Sequence, residues 1–191
     1  LRVTTILTSC GSCRDGLQHY DLAGARRQDL KHQDVVQFLL ERNPDLQLPA
    51  GSVPENIVYH GACHAEWTKV HAVKANEMYR RALAGIAGTD VTLSEKCCGE
   101  SGMGALTSPA VYNTLRKKKA GILEENLSGD RRDAPVIVGC PSCKIGIQRS
   151  LLNMKRPNKV LHTLEFMAQA LYGPQWVAKT LDAAMQSPPQ G

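Results

Sequence analysis

Aromatic side chains are scarce: the 191 residues hold two phenylalanines and two tryptophans. Stacking on bases needs aromatic planes, so the basic run Arg116–Lys119 reads as a solvated helix face, and no nucleic-acid partner is expected. Long apolar runs are missing too, so no transmembrane segment is expected, and no basic-then-apolar leader opens the chain. No paired carboxylates, no Ser-His-Asp order and no phosphate loop stand out. The stretch GESGMG (99–104) is not a GxGxxG match and lacks the acidic ribose partner of a dinucleotide site. The positive surplus is modest, at +5.

Cysteine, by contrast, is plentiful. Cys10, Cys13, Cys63, Cys97, Cys98, Cys140 and Cys143 make seven, so disulfide pairing would leave one over. Without a leader, clustered spacing points to metal ligation or redox chemistry in a reducing compartment. Cys97 and Cys98 are adjacent, and a bond between them would strain the ring. Two vicinal thiolates can each bind a different iron.

The chain alternates strand and helix patterns. VTTILT (3–8), NIVYH (56–60), DVTLSE (90–95) and APVIVG (134–139) read as strands. Helices are expected over 29–42, 66–84, 108–127, from Pro141 onward, over 164–173 and, weakly, from Trp176 to Met185, with a disordered tail. Val70, Val73 and Met78 are expected among the apolar positions of the second helix, and Leu164, Met167, Ala168 and Leu171 on one face of the fifth. In the third, the stripe Val111, Leu115, Ile122 carries Lys118, which snorkels to solvent or faces something anionic. Short apolar strands between helices predict an α/β fold, a Rossmann-like parallel sheet flanked by helices. Ligands gather at the carboxyl ends of such strands. Cys10, Cys63, Cys97 and Cys140 each follow a predicted strand, so four strand ends converge on one rim.

An internal repeat is visible. TSCGSCRDGLQ (8–18) matches VGCPSCKIGIQ (138–148), and DVVQFLLE (34–41) parallels HTLEFMAQ (162–169) with a two-residue slip. Only the second copy has Cys63 and the Cys97-Cys98 pair upstream of it. The first copy therefore reads as the tail of a preceding unit.

A lone Cys, a Cys-Cys pair and a CxxC after successive strands form a multi-thiolate site. Iron–sulfide chemistry wants several soft thiolates at once, and crowded thiolates need positive potential around them. The helix that begins at Pro141 points free N–H groups at Cys140 and Cys143. Gly99, Gly102 and Gly104 allow close backbone approach to a cofactor. Zinc held by four of these thiolates is the alternative, and buried structural thiols are the bland one. A thioredoxin-type dithiol at Cys10 and Cys13 lacks the hairpins that would follow. His60 and His64 flank Cys63, where ligation competes with strand capping or hydrogen-bond tuning. His162 is expected against its own helix start, and Glu100 orients the glycine loop or is solvated.

Together YHGACH, KCCGESGMG and GCPSCKIGI resemble the CCG cysteine-rich domain, which occurs in the B component of heterodisulfide reductase and in the iron–sulfur subunits of FAD-linked lactate, glycolate and glycerol-3-phosphate oxidoreductases. The resemblance implies a complete module over 53–172, a C-terminal remnant of a first module over 1–45, and a weak helix with a disordered tail over 173–191. It also implies a 4Fe–4S cluster, non-cubane in the heterodisulfide reductase branch. Carried over by position, the metal ligands are Cys63, Cys97, Cys98, Cys140 and Cys143, with Cys10 and Cys13 matching the closing CxxC of the first module. The implied function is electron transfer beside a flavoprotein domain or subunit that carries FAD, with a 2-hydroxy acid such as D-lactate or glycolate as the parent enzyme's substrate. Thiol–disulfide catalysis at the cluster and a zinc-stabilised interaction module are the alternatives. The expected location is cytoplasmic or peripheral on the cytoplasmic membrane face through partners. The missing first module would leave a sheet edge bare, which favours a homodimer.

Overall fold

The computed structural model describes residues 3–19, 31–64, 70–100 and 106–186. In chain order these form β1 (Thr5–Thr8), α1 (Gly11–His19), β2 (Lys31–Asp34), α2 (Val35–Arg42), β3 (Asn56–His60), α3 (Ala72–Ala87), β4 (Asp90–Ser94), α4 (Pro109–Asn126), a 3-10 turn (Gly129–Arg131), β5 (Val136–Val138), α5 (Pro141–Asn153), β6 (Val160–His162), α6 (Thr163–Tyr172) and α7 (Trp176–Gln186). Helices α4 and α5 both carry proline in the first turn, where the missing N–H has no intrahelical partner to lose.

Four strands make one parallel sheet in the order β4-β3-β5-β6. Strands β3 and β5 are central, and alternate side chains point to opposite faces. Val58, Val136 and Val138 lie on one face with Leu123 and Leu127 from the α4 end and Ile147 and Leu151 of α5. Ile57, Tyr59 and Ile137 lie on the other, against Tyr79, Leu83 and Ile86 of α3 and Phe166 and Met167 of α6. The rings of Tyr59 and Tyr79 stack with centroids 5.1 Å apart. A sheet covered on both faces explains why these strands are apolar at nearly every position. The α/β expectation, a parallel sheet flanked by helices, is what the chain adopts. No helix among the described residues is long and apolar enough to cross a membrane.

β1 falls within the expected strand VTTILT (3–8), but β2 and β6 were not expected. β1 and β2 pair in parallel, Thr5 opposite Lys31 through Thr8 opposite Asp34, so KHQD is extended where a helix over 29–42 was anticipated. The physical reason is Asp34. It takes an extended conformation (φ −65°, ψ 138°), and its carboxylate accepts from the N–H groups of Val36 and Gln37, so the helix cannot start earlier. His162 does the same at the end of β6. It is extended (φ −68°, ψ 147°), its Nδ1 accepts from Leu164 N–H, and Glu165 closes the capping box on His162 N–H. Asp34 and His162 open the two aligned segments of the repeat, which thus share both their order of elements and their caps.

Three helix faces are rotated or trimmed relative to the sequence reading. In α3 the buried residues are Ala75, Tyr79, Leu83, Ile86 and Ala87, while Val73 is exposed, and Val70 precedes the helix. Residues 65–69 lie outside the described residues. In α6 Thr163, Phe166, Met167 and Ala170 face inward and Leu171 faces out, because the sheet lies on the side set by the His162 cap. In α4 Lys118 is exposed and Val111 is exposed; the buried stripe runs Lys119, Leu123, Leu127. The tail after Gln186 lies outside the described residues.

Candidate metal centre

Each strand of the expected set ends beside a cysteine. β1 leads to Cys10, β3 to Cys63, β4 to the Cys97-Cys98 pair and β5 to Cys140. All are free thiols. The sulfurs of Cys98 and Cys143 are 3.6 Å apart, and those of Cys10 and Cys140 are 3.7 Å apart. Electrostatic coupling also links Cys63 with Cys97, Cys97 with Cys98, Cys140 with Cys143, and Cys10 with Cys13. The seven thiols are therefore coupled in one series. Its depth is graded: Cys10, Cys98, Cys140 and Cys143 are buried, Cys97 is half-buried, and Cys63 and Cys13 are exposed.

The Cys-Cys turn is built by two left-handed residues and a clamp. Lys96 (φ 70°) and Gly99 (φ 72°) bracket the pair and redirect the backbone on either side of it. Gly99 N–H reaches Cys97 Sγ at 3.4 Å. Any Cβ on Gly99 would come within 2.5 Å of Arg116 Cγ and 3.0 Å of its backbone N, so the turn lies directly on α4. On the other side Gly146 of α5 takes Cys98: a Cβ there would meet Cys98 Cβ at 3.1 Å and Glu100 Cβ at 2.9 Å. Glu100 then pins the turn to both helices, its Oε2 lying 2.8 Å from Arg149 of α5 and 3.6 Å from Arg116 of α4. With its side chain only 12% exposed, Glu100 orients the loop and is not merely solvated. Gly102 and Gly104 lie outside the described residues.

Positive potential reaches the thiols from two directions. Lys119, fully buried, donates from Nζ to Ser94 O (3.1 Å), Ser94 Oγ (2.8 Å) and Glu95 O (2.8 Å), at the carboxyl end of β4. Burial pushes its ammonium down to about 7, while Cys98, Cys143 and Cys97 pull it back up. The N-terminus of α5 supplies the second direction, with the N–H groups of Ser142 and Cys143 bonding Cys140. The thiols polarise one another as well. Cys97 is held far below the ordinary thiol range by hydrogen bonds from Cys63 and Cys98, and Cys140 by those from Cys10 and Cys143. Their donors Cys63, Cys10 and Cys143 are correspondingly pushed up. Thiols that share hydrogen bonds in this way hold protons that an incoming metal must displace.

His60, the last residue of β3, is fully buried on the sulfur side of the sheet. His162 Nε2 lies 3.0 Å from Ser9 O, tying the β6 end to the turn that carries Cys10. With Nδ1 accepting from Leu164, Nε2 carries the proton. His64 is exposed.

The donor set fits a soft, thiolate-bound metal group: sulfurs paired at contact distance, with an ammonium and a helix N-terminus near them. Lys119 is the functional residue that the sequence reading missed, by one position. Its signal was the four-residue spacing Leu115, Lys119, Leu123, Leu127, a better helical stripe than the one through Lys118.

Comparison with known proteins bears on the same residues. Positions 57–148 match the CCG family model, described as a cysteine-rich domain. The chain is 30% identical over 171 residues to the B component of the fumarate reductase (CoM/CoB) of Methanothermobacter marburgensis, covering 87% of this chain and 32% of that protein. It is 32% identical over 140 residues to the "Glycolate oxidase iron-sulfur subunit" of Escherichia coli K12, covering 72% of this chain and 30% of that one. The chain thus spans about a third of the length of the curated relatives it matches. No solved structure matches it.

Proposed function

This chain belongs, through residues 57–148, to the CCG cysteine-rich domain family, and on that premise we propose that it is the iron–sulfur electron-transfer part of an oxidoreductase. The observation that carries the reading is the contact of the buried sulfurs in two pairs, Cys98 with Cys143 and Cys10 with Cys140, with a buried lysine at the end of β4 beside them. Both relatives are named as subunits of oxidoreductases, one of them as an iron–sulfur subunit. An iron–sulfur group held there would supply one-electron transfer.

Cys63, Cys97, Cys98, Cys140 and Cys143 are the ligands we assign, with Cys10 and Cys13 extending the set from the repeat. The group is a 4Fe–4S cluster. Lys119 offsets the negative charge that accumulates on thiolates, and the Glu100 clamp holds the Cys-Cys turn in place for binding. The burial of Cys98, Cys140, Cys143 and Cys10 favours relay over direct attack on a disulfide substrate. The flavin sits on a separate domain or subunit, and the parent enzyme oxidises a 2-hydroxy acid; the glycolate oxidase relative supports that choice. Gly99 keeps the turn close enough for its N–H to reach a ligand sulfur.

The test is anaerobic loading with iron and sulfide, followed by metal and sulfide analysis and electron paramagnetic resonance of the reduced protein. Stoichiometric iron and sulfide with a reduced-cluster signal, both lost in Cys98→Ser, are expected. Zinc in freshly isolated anaerobic protein, with no iron taken up, overturns the proposal.

A further inference from the structure

His60 presents a problem that the electron-transfer reading leaves open. Its side chain is fully buried, and among the described residues neither Nδ1 nor Nε2 has a hydrogen-bond partner. An orphaned buried polar group carries its full desolvation cost, so a leucine at the end of β3 would fill this space more favourably. Native structures rarely keep such a group without an occupant to satisfy it. The alternation of β3 turns His60 to the same face as Val58, the face that carries Cys98, Cys140 and Cys143. A ring nitrogen of His60 and the sulfurs of Cys98 and Cys143 all lie within 4.8 Å of one another, and all three residues are buried.

The spacing suits shared coordination. Donors bound to one tetrahedral ion at ~2.0–2.3 Å stand ~3.5–3.8 Å apart. Cys98 and Cys143 already meet that at 3.6 Å. The histidine closes its gap with at most about 1.3 Å of side-chain movement. The imidazole makes no hydrogen bond to either sulfur, which leaves ligation as the interaction its geometry serves.

We propose that His60 supplies a nitrogen ligand to the metal centre, sharing one metal ion with Cys98 and Cys143. The inference rests on the reading that this site holds iron, and it adds a non-sulfur donor to the cysteine set. A neutral imidazole adds a donor without adding negative charge to the thiolate shell.

The experiment uses the full chain produced with ¹⁵N-histidine, loaded anaerobically with iron and sulfide, reduced, and studied by pulsed electron paramagnetic resonance. A ¹⁵N coupling of bonded-ligand size is expected in the wild type and in His64→Ala, and none in His60→Cys. The cysteine variant offers a replacement ligand, so it retains iron near the wild-type level, whereas His60→Leu loses it several-fold. Iron bound without histidine coupling in the wild type, or coupling that persists in His60→Cys, overturns this inference and leaves the electron-transfer proposal standing. Equal iron in His60→Leu and wild type also overturns it. A wild type that takes up no iron overturns both.

Discussion

The sulfurs of Cys10 and Cys140 lie 3.7 Å apart although 130 positions separate them in the chain. They are the leading cysteines of the two CxxC turns, and His162 binds the Ser9 carbonyl to hold those turns together. In metal-free protein these thiols are the buried pair best placed to couple across the repeat. Treatment with diamide should remove two electrons and two protons from the pair and form a Cys10–Cys140 disulfide, found by peptide mass spectrometry under non-reducing conditions. Loading with iron and sulfide beforehand should suppress it. Cross-links that favour Cys63 with Cys13 instead would contradict the arrangement.

Gly146 and Gly16 occupy the same place in the repeat but meet different surroundings. A Cβ at Gly146 runs into Cys98 and Glu100, whereas a Cβ at Gly16 meets nothing within 4 Å. Gly146→Ala should therefore push the Cys-Cys turn off α5, costing about 1–3 kcal/mol by overpacking and most of the bound iron. Gly16→Ala, inside a helix, should stabilise the chain by up to about 1 kcal/mol. Chemical denaturation of both variants, with iron analysis, distinguishes the two.

Lys119 places its ammonium on the backbone that leads into Cys97. Replacing it with methionine removes a buried positive charge next to the thiolates, which makes electron uptake less favourable. The midpoint potential of the loaded Lys119→Met chain should move negative by on the order of 60 mV, a tenfold change in a one-electron equilibrium. A redox titration that finds no movement would reduce Lys119 to a tether for Ser94 and Glu95.

Asp34, paired with Thr8 at the end of β1, gives a pH signature. Burial, partly opposed by hydrogen bonds from Gln37 and Val36, raises its carboxyl from 3.8 to about 6. Between those values the folded chain holds a proton that the unfolded chain has released. Its contribution to stability is therefore present below about pH 4 and lost as pH rises through about 6. Asp34→Asn keeps a capping oxygen without the charge. The melting temperature of the wild type relative to Asp34→Asn should fall as pH rises through this window, by thermal denaturation at constant ionic strength. A constant difference would show that the carboxyl titrates normally.

Much of the fold was legible because apolar strands of a doubly covered parallel sheet stand out from their surroundings. NIVYH coincides with β3, and Pro141 marked the start of α5. β2 and β6 were hidden for a different reason. KHQD is polar, lies in a two-stranded sheet and runs straight into α2, so its extended state comes from pairing with β1 and from the Asp34 cap. Leu171 and Val73 looked internal but face out, because helical periodicity defines a stripe without saying which side meets the sheet.

The sequence by itself determined that thiols would gather at strand ends. Parallel strands share a direction, so residues placed just after each must share a rim. Only the tertiary structure decided which groups surround those thiols. It put Lys119 inward and Lys118 outward, set Gly146 against Cys98, brought Cys10 of one repeat to Cys140 of the other, and left His60 without a partner beside two sulfurs. Those contacts depend on the rotation of each helix about its axis and on side-chain packing across large sequence separations, neither of which a linear pattern encodes.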